Sequence, residues 1–96
     1  MKWVLATHWS RMDGTLLRFV EGSADEIKWY LVQMVKSDRE SEARDGNDSW
    51  NHGTESVDEV QENKQGIESL YAFGDYDDFH IDYTAKRVDC MSLYKI

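Results

Sequence analysis

The chain has 96 residues, with 19 Asp and Glu against 11 Lys and Arg, a single Cys and no Pro. That length holds one domain. A net charge of −8 speaks against direct binding of nucleic acid or of an anionic membrane surface, both of which need a basic face.

Cys90 by itself closes no disulfide within the chain, unlike the several bridges usual in a secreted domain of this size. The first apolar run is stopped by Thr7 and His8 before a signal sequence can form, and no stretch approaches the roughly 20 apolar residues of a membrane span. The expectation is a cytoplasmic protein. Apolar residues make up 41% and aromatics 12%, enough to fold a small core.

Residues 2–9 alternate as a strand, with Trp3, Leu5 and Thr7 on one face and Val4, Ala6 and His8 on the other. Asp13-Gly14 supplies a hairpin turn, and residues 15–20 form the return strand. Both faces of this hairpin are apolar, which suits a central place in a sheet or packing on both sides. Ser23 and Glu26 then form a capping box. Ile27, Tyr30, Leu31, Met34 and Val35 follow at helical spacing, flanked by Trp29 and Val32, and the helix is expected to end near Asp38 or Arg39.

The acidity is concentrated beyond this point. Residues 1–36 hold four acids and five bases, whereas residues 37–65 hold nine acids and three bases. A mobile acidic loop is expected at about 38–55, because Ala43 and Trp50 are its only apolar residues. Ser56 and Glu59 repeat the capping-box pattern and suggest a short helix over 56–61. Residues 67–73 read as a strand, 74–78 as a turn, and 79–85 as a strand with Phe79, Ile81 and Tyr83 opposite His80, Asp82 and Thr84. The last nine residues fit either a strand or a short helix. Together these elements predict a small single α+β domain over 1–96. Its antiparallel sheet would have four or five strands in the order β-β-α-β-β, with one main helix packed on one face.

Motifs for chemistry are sparse. No Gly-rich phosphate loop or nucleophile elbow is present, and Cys90 sits among too many acids to be an activated thiol. The three His residues, His8, His52 and His80, lack zinc-site spacing. Asp45 to Ser56 departs from a calcium loop at its sixth and twelfth positions. No catalytic residue, metal or other cofactor is therefore assigned.

The candidate binding residues are Asp75, Asp77, Asp78, His80 and Asp82 on the C-terminal hairpin, with Tyr76 beside them and Trp50 from the acidic loop. Carboxylates alternating with aromatics suit a basic protein surface or groove; ordinary solvation of a hairpin is the plainer reading. Trp50 either folds back on the core or anchors a partner. The functional expectation is a small acidic binding protein acting by protein–protein interaction, in its sharpest form an inhibitor or nucleic-acid mimic of the phage or mobile-element type. In that form Glu40, Glu42, Asp45 and Asp48 would supply a second row of charge. The alternative is a homodimeric module with an aromatic-lined pocket for a small ligand.

Overall fold

The computed structural model describes residues 1–12, 14–46, 49–64 and 68–88. Strand β1 (Lys2–Trp9) turns into β2 (Leu16–Glu21), helix α1 (Ala24–Arg44) follows, and then come β3 (Trp50–Gly53), a 3₁₀ turn (Val57–Glu59), β4 (Gln61–Lys64), β5 (Glu68–Tyr76) and β6 (His80–Arg87). The strands form one antiparallel sheet in the order β2-β1-β6-β5-β3, with β4 pairing the remaining length of β5. The α+β class and the single helix on one sheet face agree with the sequence. The sheet gains strands that the sequence does not announce.

The alternation read from residues 2–9 and 79–85 sets which side chains meet the helix. Trp3, Leu5, Leu70, Ala72, Ile81, Tyr83 and Ala85 are buried beneath Ile27, Leu31, Val32 and Val35. Trp3 also donates its indole N–H to the Gly22 carbonyl at 3.0 Å, fixing the chain where it leaves β2 for the helix. The helix starts as expected. The Glu26 amide donates to Ser23 Oγ at 3.2 Å, and the Ser23 amide donates to Glu26 Oε1 at 3.0 Å. The Ser23 amide is also the main cause holding the Glu26 carboxyl below its usual value.

The expectation of a loop from about 38 to 55 needs correction. The helix runs on to Arg44, is capped by Asp45 and stops at Gly46, whose φ of +85° suits glycine. The polar stretch continues the helix because Arg, Glu and Ala are good helix formers. Tertiary pairs also hold its last turns: Arg11 to Glu42 at 2.8 Å and Arg39 to Glu55 at 3.3 Å. Trp50–Gly53 is a strand because the outer edge of β5 offers backbone partners. Buried Thr54 carries that pairing across the gap between β3 and β4, its amide donating to the Phe73 carbonyl at 2.9 Å and its Oγ1 accepting from the Phe73 amide at 3.1 Å.

The short helix expected over 56–61 is reduced to the 3₁₀ turn, whose Glu59 carboxylate accepts from the amides of Glu55 and Ser56. The turn expected at 74–78 is narrower. Gly74, Asp75 and Tyr76 remain in β5, and the hairpin closes over Asp77 and Asp78 alone, with the Tyr76 amide donating to the Phe79 carbonyl at 2.9 Å. The question of strand or helix for the tail falls on residues 89–96, outside the described residues.

Candidate interaction face

The helix packs on one face of the sheet, and among the described residues no element packs on the other, the open face. Cross-strand register places the open-face neighbours. Phe73 lies opposite Asp82, Tyr71 opposite Thr84, Asp75 opposite both His80 and His52, and His8 on the other side of Asp82. These side chains alternate with the buried ones, so each is held by a strand whose opposite side is fixed in the core.

Phe73 is the centre of an aromatic group. Its ring stacks with Tyr71 on one side (centroids 6.2 Å apart, planes 15° apart) and with His80 on the other (5.7 Å, 18°), while His52 meets it edge-on at 5.6 Å. Two carboxylates are woven between the rings. Asp82 Oδ1 accepts from the Tyr71 hydroxyl and lies 2.7 Å from His80 Nε2. Asp75 lies 3.6 Å from His80 Nδ1 and 3.5 Å from His52 Nδ1. His80 therefore sits between two carboxylates. Burial, together with the hydrogen bond to Asp82, holds the Tyr71 phenol well above its ordinary value, so it serves as a donor.

The structure separates the sequence-derived site residues into three groups. Asp75, His80 and Asp82 come together on the open face. Asp77 and Asp78 are exposed at the tip of the β5–β6 hairpin. Tyr76 and Trp50 turn inward. Tyr76 is only 4% exposed and stacks on Phe79 at 4.3 Å, so it belongs to the core and presents no surface to a partner. Of the two readings open for Trp50, the structure takes the folded-back one. Its ring packs edge-on against Tyr76 at 5.4 Å and lies over Gly53 and Gly74, with the Arg39 guanidinium 4.5 Å above it.

The four carboxylates of Asp75, Asp77, Asp78 and Asp82 thus do not line up as one row, because the two strand residues are engaged by histidines and a tyrosine. Glu42 of the second row pairs with Arg11, Glu40 and Asp45 are exposed, and Asp48 lies outside the described residues. Tyr71, Phe73 and His52 complete the face without having been singled out for it. The signal for the first two was alternation: once β5 is carried through Gly74, residues 71, 73 and 75 fall on the side of His80. His52 gave no such signal, because β3 is too short and polar to be read locally. Among the described residues no group of three or more His, Cys, Asp or Glu side chains is placed to hold a metal ion.

A second feature lies on the helix side. A groove of about 280 Å³ runs between α1 and the β1–β2 hairpin, lined by Thr7, Trp9, Leu16, Arg18, Met34 and Asp38 among others. Asp38 accepts a hydrogen bond from the Tyr83 hydroxyl at 2.6 Å. Burial nonetheless raises its carboxyl above the ordinary value, outweighing the opposing effect of that bond. Arg18 donates to the Tyr30 hydroxyl at 3.1 Å across the groove.

No family model matches the chain, and neither a curated protein nor a solved structure matches it. Among the described residues, no helix is long and apolar enough to cross a membrane.

Proposed function

We propose that the protein acts by binding another protein through the open face of its sheet, and that the partner presents a basic surface. The observation that carries this reading is the group of half-buried Tyr71, Phe73 and His80 with exposed His52, which no described element covers, and Asp75 and Asp82 set between the rings. Flat rings beside carboxylates suit guanidinium and ammonium groups, which stack on the one and pair with the other. Asp77 and Asp78 extend the negative charge to the hairpin tip, and the net charge of −8 favours encounter with a basic partner. An inhibitor that occupies a nucleic-acid-binding groove is the sharpest form of this reading.

The test is a photo-crosslinking residue placed at position 73, compared with one on the exposed helix surface at position 36. Position 73 should capture a basic protein, and the purified pair should lose affinity with rising salt and on Phe73→Ala. Equal capture from both positions, or an affinity indifferent to Phe73→Ala, would overturn the assignment.

The groove beside Asp38 favours a second reading, a small-ligand module. Its lining sets a basic and an acidic side chain, Arg18 and Asp38, beside the apolar Trp9, Leu16 and Met34. Zwitterionic fragments of dipeptide size should then perturb the NMR signals of Trp9 and Met34 specifically. Uniformly absent or scattered shifts would dispose of it.

A further inference from the structure

Strand β2 ends the sheet, and its outer edge pairs with no described strand. Free strand edges are usually blunted by charged side chains, above all Lys, or by Pro, bulges or a covering element. Among the described residues β2 carries the charges of Arg18 and Glu21 but no other of these devices. Its sequence, Leu16-Leu17-Arg18-Phe19-Val20-Glu21, contains neither Lys nor Pro, and its pairing with β1 runs without a register shift.

The strand is also exposed on both sides. Leu17 and Phe19 are 57% and 80% exposed on the open face, and Leu16 is 47% exposed on the helix side. Trp29 of α1, 58% exposed, lines a groove of about 560 Å³ with Val20 and Ile27 beside the same edge. Apolar residues gathered along one regular edge mark a pairing surface rather than scattered surface hydrophobes.

We infer that β2 is the pairing edge of a homodimer, in which the strand runs antiparallel to its own copy and joins two sheets into one. Charge selects a second copy as the occupant. Two molecules of net charge −8 repel, but residues 1–36 hold four acids and five bases, against fifteen acids and six bases in the rest of the chain. An approach through β2 brings the near-neutral halves together and keeps the acidic halves apart. A two-fold axis normal to the sheet preserves its faces, so both helices lie on one side and Trp29 approaches the seam.

The register is restricted. Pairing centred on Arg18 or on Phe19 gives the longest overlap. Centring on Arg18 sets it opposite its own copy, which like charges disfavour. Centring on Phe19 sets the two phenyl rings opposite each other and Arg18 opposite Val20 of the other copy. At about 150–250 Å² per aromatic side chain, the exposed parts of Phe19 and Trp29 alone offer on the order of 200–350 Å² per protomer. The leucines and the strand backbone carry the total toward the roughly 1,000 Å² of a specific interface. The dimer leaves the Phe73 face uncovered and sets two copies of it side by side.

Sedimentation equilibrium of the whole chain from about 1 to 100 µM tests the pairing, since a dimer population must follow concentration. The unaltered protein should reach twice its 11.3 kDa mass. Leu17→Lys with Phe19→Lys should weaken association at least about a hundredfold with an unchanged far-ultraviolet circular dichroism spectrum. In a Cys90→Ser background, Phe19→Cys should crosslink to its copy on air oxidation and Leu17→Cys should not. A monomer throughout the series, a dimer that survives both lysines, or crosslinking through position 17 in preference to 19 would overturn the pairing as stated. None of these outcomes bears on the Phe73 face.

Discussion

The Tyr83 hydroxyl donates to Asp38 Oδ2 at 2.6 Å, tying the centre of the sheet to the helix forty-five residues away in sequence. Tyr83 is buried and Asp38 is half-buried beside the groove. Burial raises the Asp38 carboxyl, and burial together with the bond to Asp38 raises the Tyr83 phenol well beyond its ordinary value.

The sign of the resulting pH dependence follows from linkage. A carboxyl raised in the folded state binds its proton more tightly there than in the unfolded chain. Its contribution to stability is full below the unfolded value of about 3.9 and is lost as pH rises through the folded value. Asp38→Asn keeps an acceptor for Tyr83 and should flatten this part of a urea-denaturation pH profile. Tyr83→Phe leaves the carboxylate without its donor. It should cost about 1–3 kcal/mol at neutral pH and raise the Asp38 midpoint seen by carbon NMR.

The two carboxylate pairs of the C-terminal hairpin should behave differently. Asp77→Asn with Asp78→Asn alters only exposed turn residues and should change stability by less than about 0.5 kcal/mol in chemical denaturation. Asp82→Asn weakens the acceptor shared by Tyr71 and His80 and should cost about 1–3 kcal/mol. Equal effects would mean that the open-face network contributes nothing to the fold.

Tyr76→Phe should be neutral or stabilising. The Tyr76 hydroxyl is buried and makes no hydrogen bond, so its removal relieves a desolvated polar atom. Burial, with Asp38 and Glu42 nearby, pushes this phenol up to about 12. Folding therefore opposes ionisation of this phenol, and the unaltered protein loses stability as pH rises from the unfolded value of about 10 through the folded one, a loss the variant should not show. In a spectrophotometric alkaline titration the variant should lack one late-ionising tyrosine.

Gly53→Ala should destabilise by about 1–3 kcal/mol in thermal or urea unfolding. A Cβ at that position would stand 2.6 Å from the Phe73 carbonyl oxygen and press on the Trp50 ring. Backbone cannot yield as a flexible side chain does, so β3 would have to move away from β5. An unchanged midpoint would show that Trp50 is not seated where the structure has it.

Strong local periodicity explains what was legible. The inward and outward sets of residues 2–9 and 79–85, the capping box at Ser23 and Glu26, and the core stripe from Ile27 to Val35 all depend on near neighbours in the chain. The helix end was not legible. Residues 38–44 carry no apolar stripe, and their helix is completed by Arg11 and Glu55 from distant elements. β3, whose only apolar side chain is Trp50, and β4, four polar residues, were not legible because such short segments become strands only when a longer strand offers its edge. Gly74 looked like a turn residue, yet it stays in β5 because the Trp50 ring covers the place where a side chain would be.

The candidate site divides along the same line. The amino-acid order by itself determined that His80 and Asp82 share one strand face, that the protein is acidic chiefly beyond residue 36, and that one helix buries one stripe. Only the tertiary structure decided that Tyr76 and Trp50 turn inward and that His52, Tyr71 and Phe73 join His80 between Asp75 and Asp82. It also decided that β2 is left at the edge. Periodicity fixes the side on which a residue stands within its own element. The partner strand, the register and the face the helix covers are set by contacts between residues far apart in the chain.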